Sequence, residues 1–108
     1  MAAKSVTNRV RKYLRVLQQR GLTVQCGVVF GSQAKGTATP DSDIDLIVVS
    51  PLFDRSYTWT DASLLWRVAA VTDYRIEPIP CGVKQWETDD ESAIIEIARR
   101  EGRIIKVV

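Results

Sequence analysis

The chain has no histidine, two cysteines and one methionine in 108 residues, and these shortages exclude several kinds of site at the outset. Cys26 and Cys81 have neither CxxC spacing nor a histidine to complete a zinc site, so they read as buried free thiols rather than a disulfide. No stretch approaches the ~20 apolar residues that a bilayer demands, which predicts a cytoplasmic protein with no membrane partner. Charge of one sign is also missing: 15 Lys and Arg against 13 Asp and Glu leave a net charge of +2, too slight to mark a nucleic-acid or membrane binder. Arg9, Arg11, Lys12 and Arg15 are interleaved with no aromatic except Tyr13. They read as the solvated face of a helix, so nucleic acid is not an expected partner. Neither familiar phosphate loop is present, since no GxGxxG occurs, and Gly31 and Gly36 have Walker A spacing but Thr37 stands where the lysine belongs.

What is there has the grammar of a small layered domain. Val6, Val10, Leu14 and Leu17, with Tyr13 beside them, recur at helical spacing between Ser5 as N-cap and Gly21 as stop. Residues 22–30, LTVQCGVVF, and 43–50, DIDLIVVS, are rich in β-branched residues and read as strands. Leu64, Leu65, Val68 and Val71 make a second helix over 59–73, capped by Thr60 or Asp61. YRIEPIP, residues 74–80, reads as a third strand. Thr88 and Glu91 form a capping box before SAIIEIARR, and Gly102 precedes a last strand, RIIKVV, 103–108. The order α-β-β-α-β-α-β, with no internal repeat, predicts one domain over 1–108 of α/β (α+β) class, a small mixed sheet covered by helices.

The chemistry concentrates between residues 31 and 50, GSQAKGTATPDSDIDLIVVS. A Gly-Ser pair at the end of a strand can offer backbone N–H groups and a hydroxyl to phosphate oxygens, above all if a short helix begins there with Ser32 as its cap. Strand alternation puts Asp43 and Asp45 on one face with Cα atoms about 6.7 Å apart, while Ile44 enters the core. Two carboxylates so held repel each other unless a divalent cation lies between them, and Mg2+ is at home with one or two carboxylates and substrate phosphates. Metal plus nucleoside triphosphate is the economical reading, set against a solvated acidic turn of Asp41, Asp43 and Asp45.

Gly31-Ser32, ten intervening residues and Asp43-x-Asp45 together resemble the GSx10DxD signature of minimal nucleotidyltransferases in the DNA polymerase beta superfamily. GSQAKG and SDIDLIVV are similar to the family's GSxAxG and SDIDL segments. The resemblance implies a nucleotidyltransferase fold and transfer of a nucleoside monophosphate, AMP from ATP, to a hydroxyl acceptor with loss of pyrophosphate. It implies that Gly31 and Ser32 hold the β and γ phosphates, and that Asp43 and Asp45 bind two Mg2+ ions, with Mn2+ as an alternative. A third carboxylate is expected from a neighbouring strand. Glu77 is the candidate, as metal ligand or base, with Asp73 in reserve.

So short a chain leaves no room for a second lobe, so the acceptor is expected on a partner. The resemblance implies a helical HEPN-type protein whose tyrosine is modified, in a toxin–antitoxin pair. A rival reading is a non-catalytic antitoxin subunit acting by contact. Self-association is left open. Trp59 and Trp66, seven residues apart on one helix face with Leu52 and Phe53 nearby, fit a partner-binding patch or core packing alike.

Overall fold

Helix and strand formers alternate along this chain, and in the computed structural model they build four strands with helices on both faces. The structure describes residues 4–39, 42–54 and 58–107; Asp41 and Val108 lie outside the described residues. In order, the elements are α1 (Lys4–Gln19), β1 (Cys26–Phe30), α2 (Ser32–Lys35), β2 (Ile44–Val49), a 3-10 turn (Pro51–Asp54), α3 (Trp59–Thr72), β3 (Ile76–Cys81), α4 (Val83–Thr88), α5 (Ala93–Glu101) and β4 (Arg103–Ile105). This is the expected α/β fold with α2, α4 and the 3-10 turn added.

The sheet order is β3-β2-β1-β4. β1 pairs antiparallel with β2 and with β4, whereas β2 and β3 run parallel. Strand alternation then divides the apolar residues between two cores. Val29, Ile44, Leu46, Val48, Ile76 and Ile105 pack under α1 and α3 with Val10, Tyr13, Leu14, Leu17, Leu65 and Val68. Cys26, Val28, Ile47, Val49 and Cys81 face the other way, toward Ile95 and Ala98 of α5 and toward Val83 and Trp86 of α4. Between α1 and α3, the Tyr13 hydroxyl donates to the carbonyl of Leu65 at 2.8 Å, within a buried environment.

Both cysteines are free and buried. Cys26 pairs with Val49, and Val49 with Cys81, so the thiols lie two strand spacings apart, about 9.5 Å, beyond the reach of a disulfide. Burial pushes the Cys81 thiol up to about 11.

β3 is an edge strand of unusual composition. The Ile44 and Ser50 amides donate to the carbonyls of Arg75 and Cys81, so the odd-numbered residues of β3 address β2. Residues 76, 78 and 80 turn their backbone outward. Two of these are Pro78 and Pro80, which have no N–H to offer, and the Ile76 amide is already bonded to the carbonyl of Asp73.

Several local expectations are corrected. Ser5 lies within α1, and Gly21, with φ +97, ends the turn that follows it. α3 starts at Trp59 as expected, but its cap is Thr58 rather than Thr60 or Asp61: the Thr58 side chain accepts from the Asp61 amide and the Asp61 carboxylate accepts from the Thr58 amide, a full capping box. Thr88 ends α4, and α5 is capped by Ser92, which accepts from the Ile95 amide. Val71, expected in the core, is 69% exposed. Among the described residues, no helix is long and apolar enough to cross a membrane.

Candidate functional site

The end of β1 and the starts of β2 and β3 meet at one edge of the sheet, and this edge collects the residues singled out above. Phe30, the last residue of β1, pairs with Asp45, and Asp45 pairs across the parallel ladder with Glu77. Because Ile44, Leu46 and Ile76 point into the α1/α3 core, Asp45 and Glu77 project from the opposite face, one row beyond Ile47 and Ile79. Asp43 immediately precedes β2 and is exposed.

Gly31 stands at the turn out of β1 with φ +72 and ψ −147, a conformation open to glycine. A Cβ at this position would lie 2.6 Å from the Asp45 Oδ2. Glycine is therefore required twice, by its dihedral angles and by the approach of the loop to the carboxylate. Ser32 begins α2 and does not cap it: the N-cap is Gly31, with no side-chain cap bond. That correction leaves the Ser32 hydroxyl outside the capping of its own helix.

Electrostatics show that the three carboxyl groups share a neighbourhood. Burial raises the Asp45 carboxyl above the usual carboxylate range, and the charge of Asp43 adds to this, opposed by a hydrogen bond from Glu77. Local desolvation raises Glu77 too, reinforced by the charges of Asp43 and Asp45 and by hydrogen bonds in which it is the proton-bearing partner. Asp73, the reserve candidate, is elsewhere: it ends α3 and pairs with Arg9 and Arg75, each at 3.5 Å.

No group of three or more His, Cys, Asp or Glu among the described residues stands as a ready metal cage. The donors are nonetheless hard oxygens, and desolvation together with neighbouring negative charge raises the proton affinity of Asp45 and Glu77, a strain that a divalent cation would relieve. Mg2+ is satisfied by one or two carboxylates when phosphates and water complete its shell. The donor set suits such an ion.

One contact at this edge goes unmarked in the sequence reading. The Gln33 side chain is buried, and its amide lies 3.4 Å from the carbonyls of both Ser42 and Asp43, so the loop after β1 is tied to the entry of β2. The available signal was one long polar residue inside a loop of small ones. Trp59 and Trp66 are 83% and 53% exposed, so neither belongs to the core, whereas Phe53 is buried.

A family model described as a nucleotidyltransferase domain matches residues 10–107. Among solved structures, the chain resembles a candidate nucleotidyltransferase from Sulfolobus solfataricus, with TM-score 0.65 and 12% identity, covering 91% of this chain and 77% of that one. It also resembles a toxin–antitoxin structure with AMP-PNP, with TM-score 0.59 and 18% identity, covering 91% of this chain and 70% of that one. At such identities these two likenesses speak for the fold. No curated protein matches.

Proposed function

We propose, since the chain belongs to the nucleotidyltransferase domain family, that it moves AMP from ATP to a hydroxyl group on a partner protein and releases pyrophosphate. The observation that carries this reading is the register that sets Asp45 beside Glu77 and against Gly31 at one sheet edge. Gly31 lets the backbone approach the β and γ phosphates, and Ser32 adds a hydroxyl donor. Asp43, Asp45 and Glu77 would hold two divalent ions, Mg2+ or Mn2+, which when bound stabilise the attacking and leaving oxygens. The acceptor oxygen bonds to the α phosphorus, the bond to pyrophosphate breaks, and the acceptor proton passes to a carboxylate, with Glu77 the candidate base.

The partner part of the reading is supported by the likeness to a toxin–antitoxin structure with AMP-PNP. We place this chain as the antitoxin, with a tyrosine of a HEPN-type helical protein as acceptor. The test is intact mass spectrometry of the co-purified partner after incubation with ATP and Mg2+. A gain of one adenosine monophosphate is expected with wild type and no gain with the Asp43→Asn, Asp45→Asn double variant. If the partner is neutralised without any mass gain, the contact-only reading replaces this one.

A further inference from the structure

A second concavity lies away from the carboxylates. A cleft of about 810 Å3 opens between the first half of α1, the end of α3 and the loop after α2. These helices cover the α1/α3 face of the sheet, so the cleft and the carboxylates sit on opposite faces of the same edge. Its volume falls within the range of small-molecule sites, ~300–1,000 Å3.

The charge of its wall is selective. Arg9, Lys12 and Arg75 line it together with Asp73, the one carboxylate among the described lining residues. Asp73 is held between Arg9 and Arg75 at 3.5 Å from each; Arg75 is largely buried and so held in place, whereas Arg9 and Lys12 are exposed at the mouth. Lys12 makes no ion pair among the described residues. Among the described residues the lining carries more basic than acidic groups, which suits the anion of a phosphate monoester. Tyr74 stands at the rim, 84% exposed, as a ring on which a base can stack. The floor includes Gln33, the side chain that holds the backbone beside Asp43.

We propose that this cleft is a second ligand site, for a phosphate monoester of nucleotide size, separate from the carboxylate edge and sharing the Gln33 wall with it. The proposal stands apart from the transfer reading, because nothing in it calls on a metal or on chemistry at the carboxylates.

The test is calorimetric titration of the full chain with adenosine monophosphate in EDTA, where the carboxylate edge carries only negative charge and repels phosphate. Wild type should bind. An Arg9→Gln, Lys12→Glu variant should weaken binding at least about tenfold, and Asp43→Asn, Asp45→Asn should not weaken it. Tyr74→Ala should weaken adenosine monophosphate and spare inorganic phosphate, which separates base contact from bare anion binding. Circular dichroism checks the charge variant, and the exposed Tyr74 position carries the comparison if that variant fails to fold. Absence of binding to wild type, equal affinity for inorganic phosphate, loss of binding in the Asp43→Asn, Asp45→Asn variant, or insensitivity to the charge change each overturns the proposal. Binding of poly-glutamate without adenosine monophosphate overturns it in favour of an acidic protein segment.

Discussion

Gly31→Ala separates two physical effects that converge on one residue. The native φ of +72 with ψ −147 lies in a region that residues with a Cβ avoid, and holding alanine there costs of order 1–3 kcal/mol. For a domain of this size each kcal/mol lowers the melting temperature by roughly 4–8 °C, so a drop of about 10 °C is expected. The second effect is local. Ordinary contact begins at 3.4 Å, and a Cβ at Gly31 would meet Asp45 Oδ2 at 2.6 Å, so the carboxylate must retreat by 0.8 Å (3.4 − 2.6). A displacement near 1 Å at a reacting centre can cost about a hundredfold in rate. Urea denaturation reads the first effect and partner adenylylation the second, and an Asp45→Ala background divides them, because there the contact is gone and the dihedral cost stays. If Gly31→Ala unfolds within about 0.5 kcal/mol of wild type, an ordinary surface value, the backbone argument is wrong. If its rate is unchanged, the approach to Asp45 has no bearing on the chemistry.

Ser32→Ala removes one hydroxyl while the backbone donors stay, so calorimetry with a non-hydrolysable ATP analogue and Mg2+ should show weaker but measurable binding, and stability should shift little because Ser32 caps nothing. Tyr13→Phe leaves the Leu65 carbonyl without its 2.8 Å donor and should lower stability by about 0.5–1.5 kcal/mol, read as a urea midpoint shift at constant slope. Asp89 is held below the usual carboxylate range by the Ser92 amide first, then by the Glu91 amide and Gln85. Because its folded pKa is depressed, its contribution to stability is present above the unfolded value, about 3.9, and fades as pH falls through the folded one. An Asp89→Asn variant should therefore lose less stability than wild type on acidification below about pH 4.

The readability of the sequence tracks the range of the interaction that decides each element. Gly31-Ser32 and Asp43-x-Asp45 were legible together because β1 and β2 are consecutive antiparallel strands, and one loop brings them side by side. Glu77 was harder, since its position rests on the register of a parallel pair with α3 intervening, and no local pattern sets that register. Along α3 only Val71 departs from the expected stripe, for a related reason, since Leu65 and Val68 are buried and Leu64 packs against the core. Leu64, Leu65, Trp66, Val68, Ala69, Ala70 and Val71 leave the helix apolar nearly all round, so periodicity could not choose between the stripe through Leu65, Val68 and Ala69, which is buried, and one ending at exposed Val71. α4 was invisible because its start is secured from far away: the Asp54 carboxylate accepts from the Val83 and Lys84 amides. Thr58 and Asp61, by contrast, have the spacing of a capping box in the sequence itself, beside a second candidate cap in Thr60.

The outward row of β3 gives the sheet a direction of growth. With Pro78 and Pro80 there, and the Ile76 amide bonded to Asp73, this border offers carbonyls and no amide, so an incoming strand would find acceptors without the donors a ladder alternates. Extension by strand addition is closed beside Glu77. It can proceed only past β4, on the far side of β1. The carboxylate flank thus stays a border in any assembly built through the sheet, and whatever reaches Asp45 and Glu77 must arrive over the face or the end of the strands.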